Sequence, residues 1–191
     1  ARAFFDRPPP EDYLAEWARR LAQPEQQAER DLRSVVIFRL NAEWLALDTV
    51  HLVEITDPHT VHSLPHRSNP VLLGMVNIRG QLRLCVSLHG LLGVGAAGPD
   101  ALAAIRAAAA GKPAPATYSR MVIIQMRGEE WVFTADEVLG VHRFTAAQFR
   151  KAPSTYTPLN SHTQAVFDWK GHTVGHLDTE RLVTSLRSHC Q

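Results

Sequence analysis

The sequence predicts a mainly β protein made of two related small barrels or sheets, and three observations carry that prediction. A long unit occurs twice along the chain. Within each unit, short apolar runs of strand length alternate with polar turns that end in glycine. The total of 191 residues suits one ordinary domain or two small lobes.

The first unit opens with Val35-Val36-Ile37-Phe38-Arg39-Leu40, turns at Asn41-Ala42-Glu43, and returns as Trp44-Leu45-Ala46-Leu47, the pattern of a hairpin. Val50 to Ile55 reads as a further strand carrying one acid, Glu54. Gly74-Met75-Val76-Asn77-Ile78-Arg79-Gly80 is an apolar strand running into a tight polar turn that leaves Arg79 pointing outward. Leu82 to Leu88 continues as a strand, and Leu91-Leu92-Gly93 suggests a short helical turn closed by glycine.

The second unit repeats this order. Met121 to Met126 answers Val35 to Leu40, Arg127-Gly128-Glu129-Glu130 replaces the first turn, and Trp131-Val132-Phe133 stands where Trp44-Leu45-Ala46 stood. Asp136-Glu137-Val138-Leu139-Gly140-Val141 parallels Asp48 to Val53, Gly171 to Asp178 parallels Gly80 to Ser87, and Leu182-Val183 answers Leu91-Leu92. Trp44 and Trp131, each opening a strand after a turn, read as rings that close one end of a small barrel. The organisation expected is a helical arm at 1–33, a first barrel half at 34–93, an insertion at 94–119, a second half at 120–187 and a tail at 188–191.

From about Val35 to Leu186 these residues resemble the CheW-like coupling domains of bacterial chemotaxis-type signalling arrays. The resemblance is carried by the Gly74 to Gly80 segment, by Glu54 and by Asp136 to Val141. It implies two intertwined five-stranded SH3-like β-barrels with an apolar junction, short helices and, in this chain, an added N-terminal helix. Leu84 and Ser87 depart from it, at positions where family members often carry proline and aspartate.

The resemblance also implies a role without catalysis or cofactor. Members are adaptors that join the regulatory domain of a CheA-type histidine kinase to the cytoplasmic tip of methyl-accepting chemoreceptors. The protein-binding residues carried over are Leu52, Glu54, Gly74, Asn77, Ile78, Arg79 and Gly80. Glu54 and Arg79 are expected to pair across neighbouring strands, either to present a surface or as an ordinary surface salt bridge. Leu52 reads equally as groove lining or as core. Gly74 and Gly80 permit close backbone approach or unusual turn angles, and Asn77 can cap the turn. The expected location is cytoplasmic, at receptor arrays; the helix and insertion fit a pathway with an output other than flagellar motility.

Composition agrees with such a module. Lysine plus arginine, 20, nearly balances aspartate plus glutamate, 19, so no broad basic surface recommends nucleic acid or an anionic membrane. No apolar run reaches about 18 residues, which argues against insertion into a membrane, and no secretory leader is visible. The chain begins at Ala1, as a fragment of a longer protein would. Cys85 and Cys190 make no disulfide framework and read as reduced thiols.

The flanking segments are of different character. Pro8-Pro9-Pro10 followed by Glu11-Asp12 begins a helix whose stripe of Leu14, Trp17 and Leu21 faces the barrels or a partner. Gln23 to Arg33 extends that helix or forms a solvated linker. Ala101 to Ala110, bracketed by glycine and proline, is expected to be the least ordered internal region.

A different class, a ligand-binding or metal-dependent enzymatic β-barrel, would draw on the histidines. His59, His62 and His66 lie close in sequence, but Pro58 and Pro65 keep them off a helix and no cysteine completes a ligand set. His172 and His176 fall on one strand face by alternation, read as solvated. No nucleophile elbow and no phosphate-binding glycine loop occurs, and Cys85 sits in a run expected to be buried and inert.

Overall fold

The continuous apolar runs fold as strands buried on both faces, which is why they show no polar alternation. The computed structural model describes residues 32–64, 70–95, 119–152 and 157–190. In order they form β1 (Leu32–Leu40), β2 (Glu43–Asp48), β3 (Leu52–Thr56), β4 (Val61–His62), β5 (Leu72–Ile78), β6 (Gln81–Val86), α1 (Leu88–Leu92), β7 (Arg120–Met126), β8 (Glu129–Ala135), β9 (Glu137–Thr145), β10 (Arg150–Lys151), α2 (Pro158–His162), β11 (Thr163–Trp169), β12 (His172–Leu177) and α3 (Thr179–Cys190). Single 3₁₀ turns occupy Thr49–His51 and Ala146–Gln148. The strand expected from Val50 therefore starts two residues later, and β1 reaches back to Leu32, inside the expected arm. The remainder of that arm, most of the 94–119 insertion, His66 and the last residue of the tail lie outside the described residues.

Two mixed sheets result, ordered β10-β11-β12-β2-β1-β9 and β3-β7-β8-β6-β5-β4. Each has five longer strands and one two-residue edge strand. Neither sheet belongs to one sequence half: β7 and β8 sit between β3 and β6, while β1 and β2 sit between β12 and β9. The halves at 34–93 and 120–187 are repeats in sequence but not separate barrels in space. Parallel pairings seal the exchange, with Val174 opposite Trp44 between β12 and β2, and Leu84 opposite Trp131 between β6 and β8.

The exchange sorts side chains into three cores. On β1, Val35 and Ile37 enter a cluster with Ala46, Phe144, Phe167 and Val174, inside the first sheet. The intervening Val36, Phe38 and Leu40 join Leu45, Leu47, Val122, Ile124 and Phe133 in the junction between the sheets. On β7 the same alternation sends Met121 and Ile123 into the second sheet's interior with Val76, Ile78, Cys85 and Val132. Phe38 and Phe133, one from each unit, meet at 5.3 Å across the junction.

Helix ends explain the Ser87 departure. Ser87 caps α1, its hydroxyl accepting from the Gly90 N–H at 3.1 Å. At the matching point of the second unit, the Asp178 carboxylate accepts from the Glu180 N–H at 3.0 Å and the Arg181 N–H at 3.1 Å, at the start of α3. Serine and aspartate are comparable caps, so the substitution keeps the helix start. Gly93 ends α1 with φ 63°, the left-handed closure expected of it.

Candidate protein-binding site

The hairpin β5–β6 places Arg79. Ile78 pairs with Gln81, leaving a two-residue turn in which Arg79 and Gly80 have φ of 54° and 82°. Positive φ at both positions is the type I′ geometry that matches strand twist. Its first position ejects the side chain, and Arg79 is 78% exposed. Arg83 braces the turn from β6: its guanidinium donates to the Ile78 carbonyl at 3.0 Å and pairs with Glu130. Sequence reading did not single out Arg83, although a lone arginine within Leu82-Arg83-Leu84 was the available signal.

Arg79 Nη2 lies 2.6 Å from Glu54 Oε1. The sequence predicts a pair across neighbouring strands, and the structure corrects this: β7, β8 and β6 stand between β3 and β5. The pair closes because the sheet curls, so that its first strand meets the far hairpin. The remaining expected residues divide. Asn77 and Gly80 are exposed, and Leu52 is half-buried against the junction core with part of its side chain at the surface. Ile78, by contrast, is 1% exposed in the second sheet's interior and offers no side chain to a partner. Gly74 is buried with φ 147°, and a Cβ there would lie 2.1 Å from the His62 carbonyl oxygen. Its part is to let the β4 segment cross close to β5.

The described histidines do not converge. Among the described residues no three His, Cys, Asp or Glu side chains group as a metal site. His59 contacts the Thr56 hydroxyl at 3.4 Å, and His172 is exposed, stacked on Trp44 at 4.2 Å. His176, expected on a solvated face, is fully buried, with its Nε2 3.2 Å from Asp48 Oδ1. The face that is open at His172 dives into the barrel four residues on. Burial pushes the Asp48 carboxyl up, but the hydrogen bond and charge of His176, with Arg33 and His51, outweigh it and hold the carboxyl below its ordinary value. Asp136 behaves likewise: burial is outweighed by His89, the Asn41 N–H at 2.5 Å and Arg39.

Burial raises the Cys85 thiol to about 12, leaving it unreactive. His162 Nε2 lies 2.8 Å from Ser185 Oγ, a pairing hidden by 23 residues of sequence, while its Nδ1 lies 2.7 Å from the Pro158 carbonyl. The imidazole thus ties α2 to α3.

The pattern of the CheW-like domain family matches residues 34–187. No curated protein matches the chain in sequence. Among solved structures, the chain is similar to the crystal structure of the scaffolding protein TtCheW from Thermoanaerobacter tengcongensis, with a TM-score of 0.60 and 17% identity over 76% of this chain and 84% of that one. That likeness is one of fold, and it agrees with the two mixed sheets. The family match spans most of the chain, so the chain belongs to the CheW-like domain family.

Proposed function

We propose that this chain is a non-catalytic adaptor that couples chemoreceptors to a CheA-type histidine kinase in a cytoplasmic signalling array. The observation that carries the reading is Arg79, held outward by a type I′ turn and anchored to Glu54. An exposed ion pair adds only about 0–1 kcal/mol to folding. Its value lies in fixing the guanidinium fork where a partner can meet it. Val50 and Val53, 82% and 45% exposed on either side of Leu52, supply apolar surface for the tip of a receptor helix.

The mechanism is positional. Binding a kinase regulatory domain and a receptor tip together raises their effective concentration and fixes their geometry. The adaptor transmits signal only if it binds the two signalling states with different affinity, since equal affinity shifts no population. Co-purification from native cells tests this: recovery of a histidine kinase and a chemoreceptor supports the adaptor, and their identities name the pathway, motility or another output. Recovery of neither, with stoichiometric zinc in the preparation, would overturn it.

A further inference from the structure

The two units carry the same hairpin, yet the second builds a different surface on it. Lys170 and Gly171 have φ of 47° and 82°, with Trp169 opposite His172, as Ile78 is opposite Gln81 in the first unit. By the repeat, Lys170 stands where Arg79 stood and His142 where Glu54 stood. The ion pair is gone. Lys170 Nζ sits 4.7 Å over the Trp169 ring, His142 packs on Trp169 at 5.0 Å, Trp44 lies 5.8 Å from Trp169, and His172 stacks on Trp44.

We propose that this aromatic and cationic patch, formed by Trp44, His142, Trp169, Lys170 and His172, docks an acidic extended segment of a partner protein, separately from the Glu54–Arg79 edge. Trp44 and Trp169 are both left half-buried at this surface, and tryptophan is enriched at protein interfaces because its ring buries a large apolar area and keeps a polar N–H. Charge chooses the occupant. The patch holds one fixed cation and two imidazoles and no carboxylate, and the adjacent Asp168 is already held by Arg150 at 2.5 Å and by the Thr173 hydroxyl at 3.3 Å. Lys170 and His172 are exposed, and among the described residues the His172 ring has no hydrogen-bond partner, so both can donate to incoming carboxylates. The rings supply flat apolar area of the kind that receives proline.

The test is fluorescence anisotropy of the full chain with a short labelled peptide of alternating glutamate and proline, a lysine–proline counterpart and a thymidine oligonucleotide. Saturable binding of the acidic peptide alone is expected, weakened about tenfold by Lys170→Glu and by His172→Ala, and unchanged by Arg79→Ala. Both substitutions fall on exposed side chains, and circular dichroism checks that each variant is folded. Absence of saturable binding, binding indifferent to both substitutions, or tighter binding of the oligonucleotide would overturn the proposal. Because Arg79→Ala reads the other edge, failure here leaves the adaptor reading standing.

Discussion

The hairpin tips at Arg79-Gly80 and Lys170-Gly171 share a backbone and differ in chemistry. Both are two-residue turns with positive φ at each position, and both hairpins carry a register shift at the end away from the tip, between Leu72 and Gly74 in one and between Thr163 and Ala165 in the other. One presents an arginine clamped by a distant glutamate; the other presents a lysine laid over tryptophan. The backbone frame therefore follows from strand twist and turn sterics, whereas the surface follows from which few side chains the frame holds out. Repetition built the scaffold twice, and each copy offers a different face.

The largest way to break this comparison is at the tryptophans. Trp131 is 4% exposed in the junction core, so Trp131→Ala should cost about 3–5 kcal/mol in denaturant unfolding. Trp44 is half-buried, and Trp44→Ala should cost only about 1–2 kcal/mol. Equal losses would show that the two units are more alike than their surfaces suggest.

Next comes the register shift. Gly74→Ala forces a Cβ against the His62 carbonyl at a φ that alanine rarely adopts, an expected loss of about 1–3 kcal/mol. The matching position already carries Ala165, and Ala165→Gly should cost about 0.5–1 kcal/mol, as backbone entropy. A neutral Gly74→Ala would mean that the β4 segment shifts freely.

Acid should act on both units through Asp48 and Asp136. Each carboxyl is held below its ordinary value of 3.8, so each binds protons less readily folded than unfolded. The stability they contribute is present above about pH 4 and is lost as pH falls through the folded values. Melting temperature followed from neutral pH downward should drop there, and the Asp48→Asn/Asp136→Asn pair should flatten the drop. An unchanged acid limb in the double variant would remove these two groups from the account.

Much of this arrangement was legible in the sequence. Val35 to Phe38 and Met121 to Ile124 announced strands because both faces are buried, and the repeat announced paired barrels. The exchange of strands was not derivable from periodicity, since β3 pairs with β7 through contacts some seventy residues apart, from Leu52 to Ile124. Alternation put His172 and His176 on one face correctly but carries no information on depth, which changes along β12 from exposed to buried. Ile78 shows the same limit: a motif position next to an exposed arginine, it alternates into the core. The Glu54–Arg79 pair was legible as a pair, but its path across a curled sheet was not.

The most direct test is a pull-down with the purified chain as bait, a chemoreceptor cytoplasmic tip and a CheA-type regulatory domain as prey, and Arg79→Ala and Lys170→Ala as variants. The account predicts that the wild-type chain and Lys170→Ala retain receptor and kinase together, while Arg79→Ala loses receptor with a melting temperature changed by no more than about 0–1 kcal/mol of stability would produce. Receptor retained equally by Arg79→Ala, or neither protein retained by the wild-type chain, would contradict it.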